Sequence, residues 1–262
     1  MFNTEGLTMM HDRRNKIVQM ISSTRMVKVS ELIKTFNVSI ETIRRDLEYL
    51  EDRGYLRRVY GGAVVKSMYG LEPDYSSREI KNYPEKVAIG QKAVELVDDG
   101  DTLVIDIGTT TLEFARALIG KKKITVITNA IKIAAALVDD ENIRVIMLGG
   151  DVRKGELSTS GFLSENNMSL FNVDKVFLGI GGITVDEGIT DYNIEESNLR
   201  RHVLKKTHKI IGLADYSKFG VIAMNKVCDI ERINFIITDS KTDKYMISKL
   251  KSLGIKVLTV DV

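Results

Sequence analysis

The sequence predicts an α/β protein in two parts: a small helical segment closed by a hairpin, then a larger domain built on a mostly parallel sheet. Three features predict it. Across residues 12–60 the apolar residues recur at helical spacing and then give way to an alternating stretch with a double glycine. Residues 66–83, "KSMYGLEPDYSSREIKNY", have the composition of a loop. Beyond Pro84, short continuous β-branched runs alternate with helical segments, which is the βαβ pattern. The expected division is therefore 12–65, a linker at 66–83, and 84–262.

Residues 1–11 have no periodicity and are read as unstructured. Ile17, Met20 and Ile21 fall at i, i+3, i+4, and Leu32, Ile33 and Phe36 share one side of a second helix for which Ser30 is the expected N-cap. "FNVS" breaks the pattern: Asn37 tolerates the left-handed conformation that ends a helix, and Ser39 can cap the next. The third helix is expected over Ile40–Asp52, with Ile43, Leu47 and Leu50 in one narrow stripe and Gly54 stopping it. "YLRRVYGGAVV" then reads as a hairpin. In the larger part, helices are expected near 85–97, 111–118 and 130–138. The strands are "TLVIDI", "ITVIT", "IRVIML", "KVFLGI", "KIIGLA", "INFIIT" and "KVLTV". These are continuous apolar runs, as befits strands covered on both faces.

Composition narrows the function classes. The chain has 262 residues, 44% hydrophobic, a net charge of +2 and one cysteine, Cys228. A lone cysteine forms no intrachain disulfide and suits a reducing compartment. No apolar run approaches the roughly 20 residues that span a bilayer, and no signal-peptide core is evident; a cytoplasmic location is expected, with no membrane partner. His11, His202 and His208 lack metal-ligand spacing, so neither a metal site nor a cofactor is expected.

Two short helices joined by a tight turn and followed by a hairpin describe a winged helix-turn-helix, whose expected partner is double-stranded DNA. With Ile43, Leu47 and Leu50 turned inward, Glu41, Arg45 and Glu48 point away and Thr42 and Arg44 flank them. Ser39, Thr42, Arg44 and Arg45 occupy the first turns, the part of a recognition helix that reaches base edges. Arg57, Arg58 and Tyr60 on the hairpin suit backbone phosphates. Residues 12–60 carry eleven Lys/Arg and seven Asp/Glu, a surplus of +4 that leaves −2 for the rest. Local basicity is what counterion-release binding requires. An i,i+4 pair, Glu41–Arg45, is the competing use of those charges.

A second anion site is written in "LVIDIGTTT". Asp106 and Gly108 follow a strand, and Thr109, Thr110 and Thr111 open a helix whose first amides lack acceptors and carry partial positive charge. No G-x-x-x-x-G-K-[ST] is present, so a monophosphate ester fits better than a nucleoside triphosphate. Other strand ends bring Thr128 and Asn129 in "TNA", Gly181 in "GIGGIT", and Lys218 in "LADYSKFG". Asp191, Tyr192, Glu195 and Glu196 in "GITDYNIEES" can meet sugar hydroxyls, although acids at a helix start also follow from its dipole.

The motifs "TIRRDL", "RVYGGA", "DIGTTT", "TNA" and "ADYSKFG", in this order and spacing, resemble the DeoR family of bacterial transcriptional regulators over nearly the whole chain. The resemblance implies a metabolite-responsive regulator, usually a repressor, with a phosphorylated sugar or related phosphate ester as effector. A homo-oligomer, a dimer or tetramer, acting on repeated half-sites is the expected assembly. It also implies that the second domain is similar to ribose-5-phosphate isomerase and CoA-transferase-like folds. An active isomerase fused to a DNA-binding segment is the alternative. Proton abstraction needs a carboxylate, yet "GIGGIT" offers Gly181 and Gly182 and no acid before Asp186, so no catalytic residue is assigned.

Overall fold

The computed structural model describes residues 26–52, 56–65, 72–121, 123–207 and 209–262, together with residues 13, 14, 16–18, 20, 21 and 24. The expectations for residues 1–11, Gly54, the first third of the linker (66–71), His11 and His208 lie outside them. The chain divides into two compact units, Met1–Leu71 and Glu72–Val262.

In the first unit the described residues between 13 and 24 are helical. They are followed by strand β1 (Met26–Lys28), helices α1 (Val29–Phe36) and α2 (Ile40–Asp52), and strands β2 (Leu56–Val59) and β3 (Gly62–Val65). The three strands form one antiparallel sheet in the order β1-β3-β2. Gly62 is dictated by this pairing, because a Cβ there would stand 2.2 Å from the Val27 carbonyl oxygen. Asn37 is left-handed at φ 50°, and Ser39 Oγ accepts the Thr42 N–H at 3.2 Å, so the turn and the recognition-helix cap form as the sequence indicates. Ser30 does not cap α1: β1 runs directly into the helix, Lys28 holds the N-cap position, and Ser30 falls inside the first turn. Ile17, Ile21, Leu32, Ile43, Leu47, Leu50 and Leu56 make the core.

The second unit opens with α3 (Tyr75–Ile80) and α4 (Tyr83–Val94). A helix, α3, thus lies within what composition reads as linker; Arg78 and Tyr75, buried or half-buried, tie it to its own unit. Then follow β4 (Thr102–Ile105), α5 (Thr109–Leu118), β5 (Ile124–Thr128), α6 (Ile131–Leu137) and β6 (Ile143–Met147). Next come β7 (Asp151–Arg153), β8 (Ser158–Ser160), α7 (Phe162–Ser169), β9 (Lys175–Gly179), β10 (Gly182–Thr184), β11 (Gly188–Asp191) and α8 (Ile194–Leu204). The chain closes with β12 (Ile210–Leu213), β13 (Asn225–Cys228), β14 (Phe235–Asp239), α9 (Lys244–Ser252) and β15 (Lys256–Val260).

Seven strands, the seven apolar runs of the sequence, form one wholly parallel sheet in the order β15-β14-β12-β9-β4-β5-β6. Helices cover both faces. Ile89, Leu112, Phe114 and Leu137 from α4–α6 pack on one; Met168, Leu199, Val203 and Leu250 from α7–α9 pack on the other. Two small antiparallel sheets, β7-β8 and β10-β11-β13, were not legible, being three- or four-residue strands of mixed composition.

Strand order decides where a ligand can enter. From β4 the chain winds outward through β5 to β6, then returns to the other side of β4 with β9 and proceeds to β12, β14 and β15. The carboxyl ends of β4 and β9 therefore flank a topological switch point, where the following segments part and leave a crevice.

Candidate functional site

On the first unit, the outward face of α2 carries Arg44 and Arg45, both exposed, with Thr42 half-buried beside Ser39. Glu41 pairs with Arg44 at 3.8 Å instead of with Arg45, and Arg45 enters no ion pair among the described residues. On the hairpin, Arg57 and Tyr60 are exposed, whereas Arg58 donates its Nε to Glu51 at 2.5 Å and its backbone N–H to the same carboxylate. Arg58 thereby fixes the hairpin against α2. One residue that periodicity does not flag is Asp46. It is 1% exposed and accepts from Arg13 Nε at 2.5 Å and Arg14 Nε at 2.7 Å, locking the first helical segment to α2. A helical face assigns Asp46 to the inside only once its two arginine partners are placed.

On the second unit, the switch point holds a cavity of about 30 Å³. Its floor is the N-terminus of α5. The first intrahelical bond runs from Leu112 N–H to the Gly108 carbonyl at 3.1 Å, so the amides of Thr109, Thr110 and Thr111 precede any helical acceptor. Gly108, Thr109 and Thr110 line the cavity from β4; Gly179, Ile180 and Gly181 line it from β9. A Cβ on Gly179 would stand 2.3 Å from the Ile107 carbonyl oxygen, so only glycine lets these two strand ends approach. Asp191, Tyr192, Lys218, Arg200, Glu196, Glu156, Glu72 and Arg78 complete the wall.

Gly108, Thr109, Thr110, Gly181, Asp191, Tyr192 and Lys218, all anticipated, are thus brought together. Asp106, Thr111, Thr128, Asn129 and Glu195 do not line the cavity, because their polar atoms serve the fold. Asp106 Oδ2 accepts Gly179 N–H at 3.1 Å and Arg200 Nε at 2.7 Å. Thr111 Oγ1 donates to the Gly108 carbonyl, and Thr128 Oγ1 to that of Ile105. Asn129 Nδ2 donates to the Thr159 carbonyl, and Glu195 accepts from Ser160 Oγ at 3.0 Å.

The charges are arranged unevenly. Burial lowers the pKa of Lys218, against the raising influence of Asp215, and Lys218 enters no ion pair among the described residues. Burial also opposes charge on Arg200, but Asp106, Asp191 and Glu196 hold it protonated, above the ordinary arginine value. Asp106 is pushed up to about 6 by burial, with Arg200 pulling the other way. Tyr192 is pushed up to about 12 by burial, so its hydroxyl is a neutral donor. Arg78 pairs with Glu156 and stands 3.4 Å from Glu72; Arg153 holds Glu72 and, at 3.0 Å, Glu196. Glu72, Asp191 and Glu196 lie close enough for one cation, yet each already faces a guanidinium. The arrangement can cradle an anion on the α5 side and hydroxyls on the carboxylate side.

Comparison with known families decides the assignment. The DeoR C-terminal sensor domain matches residues 81–240, and the DeoR-like helix-turn-helix domain matches residues 13–68. The chain belongs to the DeoR family of transcriptional regulators. DeoR-family relatives span nearly all of it. The regulator GolR of Listeria innocua is 36% identical over 246 residues, 94% of this chain and 97% of that protein. The putative aga operon transcriptional repressor of Escherichia coli O157:H7 is 32% identical over 251 residues, 95% and 93%. The glycerol-3-phosphate regulon repressor of E. coli K12 is 31% identical over 228 residues, 87% and 90%. Ribose 5-phosphate isomerase A of Methanocaldococcus jannaschii is 18% identical, with a TM-score of 0.40 over 53% of this chain and 55% of that one, a likeness too slight to argue from. The protein is a regulator and not an isomerase, as its DeoR-family relatives are named. Arg78, Arg200, Glu72 and Glu156 are the cavity residues that the sequence motifs do not single out as ligands, whereas Glu196, expected beside Glu195, does line the cavity.

Proposed function

We propose that this DeoR-family protein represses an operon for carbohydrate use in the cytoplasm, and that a phosphorylated sugar in the switch-point cavity releases it from its operator. One observation carries the reading: the free amides at the start of α5 share a cavity with Lys218, a half-buried ammonium that enters no ion pair among the described residues. A phosphoryl group answers both, by accepting from helix N-terminal amides and by neutralising the lysine. Thr109 and Thr110 add hydroxyl donors. The names of the relatives, repressors of the aga operon and of a glycerol-3-phosphate regulon, support effectors of this chemistry.

DNA binding is assigned to Ser39, Thr42, Arg44 and Arg45 on α2, with Arg57 and Tyr60 on phosphates and Arg58 as the hairpin's anchor. A homo-oligomer, dimer or tetramer, matches the repeated half-sites that helix-turn-helix proteins read. Coupling follows from the cavity wall. Glu72 is the first residue of the larger unit, and Arg78 lies on α3 just beyond it. At about 30 Å³ the cavity is small for a sugar phosphate and widens to admit one. The arriving anion competes with Glu72 and Glu156 for Arg78, loosening the segment that leads back toward the DNA-binding unit. Switching from nearly all bound to nearly all released requires about 5 kcal/mol of differential affinity.

The test is a thermal-shift screen with inorganic phosphate, a panel of sugar phosphates and the corresponding free sugars, followed by operator release with any hit. Stabilisation by phosphorylated ligands alone, with release, is expected. Equal stabilisation by the free sugars, or by none of the panel, refutes the reading.

A further inference from the structure

Arg200 carries a feature that the phosphate reading leaves unused. The residue is 5% exposed, and its guanidinium is held at one end by Asp106, which accepts from Nε at 2.7 Å. Its Nη1 lies 2.9 Å from Asp191 Oδ2, near enough for an ion pair but outside hydrogen-bond geometry, and is buried with no hydrogen-bond partner among the described residues. An unmet N–H on a buried cation is costly. Asp191 is half-committed in the same way. Its Oδ1 accepts the Tyr192 N–H at 2.7 Å, while Oδ2 faces Arg200. Residue 181 is a glycine, and a Cβ there would stand 2.8 Å from that same Oδ2. Gly181 therefore leaves the carboxylate open toward the cavity that Gly181, Asp191 and Arg200 all line.

We propose that Arg200 and Asp191 read one hydroxyl of the effector, with Arg200 Nη1 donating to the hydroxyl oxygen and Asp191 Oδ2 accepting its proton. The assignment rests on the effector reading above and specifies which end of the ligand these residues meet. A phosphoryl dianion is the poorer occupant here, because carboxylate oxygens of Glu72, Asp191 and Glu196 all lie within 4.8 Å of one another on this side. A hydroxyl is donor and acceptor at once, which is what a guanidinium beside a carboxylate demands. The phosphoryl group goes to the opposite side, at Thr109, Thr110 and Lys218. The site accordingly takes a polyhydroxylated phosphate monoester, and the Arg200–Asp191 pair separates it from a deoxy analogue, since a buried polar pair left unmet discriminates strongly.

The experiment titrates the full chain with inorganic phosphate, with pentose and hexose phosphates, and with their available deoxy counterparts. Wild type is compared with Arg200→Gln, Asp191→Asn and Lys218→Met. Wild type is expected to bind at least one sugar phosphate more tightly than inorganic phosphate and than the deoxy form. Arg200→Gln and Asp191→Asn should each weaken that sugar phosphate by about tenfold or more, and weaken inorganic phosphate far less. Lys218→Met should weaken both alike. If Arg200→Gln does not fold, Asp191→Asn, which keeps an oxygen for the Tyr192 N–H, carries the comparison. Equal losses for inorganic phosphate and sugar phosphate make Arg200 a phosphate ligand and overturn the proposal, as does no loss for either. A wild type that prefers no sugar phosphate over inorganic phosphate also overturns it while sparing the anion site. A wild type that binds no phosphate compound takes the effector reading down as well.

Discussion

Replacing Lys218 by methionine separates stability from binding with opposite signs. The stem and its apolar volume remain, and a half-buried charge that enters no ion pair among the described residues is removed. Burial depresses the pKa of this lysine, so its charge costs the folded state something, and Lys218→Met should leave Tm unchanged or raise it. Effector binding loses a charge-assisted hydrogen bond of about 1.5–3 kcal/mol, which is about 10- to 150-fold in Kd. The readout follows by mass action. A ligand at 100 times the wild-type Kd stabilises by about 2.7 kcal/mol; if Kd rises about a hundredfold, the same concentration gives about 0.4 kcal/mol. The assay is denaturation with and without inorganic phosphate or the best sugar phosphate, together with operator binding in the absence of ligand, which should be retained. A variant that melts early yet keeps its full ligand shift would show that Lys218 supports the fold and does not grip the anion, refuting the reasoning.

Other expectations concern both units. Arg45→Ala should cost about 1–3 kcal/mol of operator binding with an unchanged Tm, since its side chain is exposed and enters no ion pair among the described residues; equal weakening on operator and random DNA in a mobility-shift titration would deny it a base contact. Asp46→Ala strands Arg13 and Arg14 and should destabilise the first unit by about 3 kcal/mol, the low end for a broken buried pair because both arginines are partly exposed. A urea midpoint within error of wild type would contradict that. Asp106 has a folded pKa raised from 3.8 to about 6, so its contribution to stability is fully present below pH 3.8 and is lost as pH rises through 6. Its loss is of order 3 kcal/mol, and Asp106→Asn should lack it. Urea midpoints of wild type and variant measured from pH 4 to 7 check the sign, and a wild type that gains on the variant across that window is the wrong one.

Much of the architecture is local in origin and legible in the chain. Period-3.6 spacing and the Asn37–Ser39 punctuation mark α2 at its observed bounds, Ile40–Asp52. Seven continuous β-branched runs mark the seven strands, because strands covered on both faces need apolar residues at every position. Glycine beside threonines marks the start of α5, because a helix opens with unpaired amides whatever surrounds it. Ser30 misleads for the same local reason: nothing in its neighbourhood shows that β1, a three-residue strand, leads straight into the helix at Val29.

What composition and spacing alone determined, then, is the helix-turn-helix, the seven strands of the large sheet and the glycine–threonine start of α5, since each depends on interactions a few residues long. Tertiary structure alone decided which polar residues spend their hydrogen bonds on the fold and which face the cavity. Asp106 and Arg200 meet across 94 positions and Arg78 and Glu156 across 78. Such pairings exist only after the sheet is wound with β4 beside β9, because it is strand order, which no local pattern encodes, that brings those distant chain segments to one crevice.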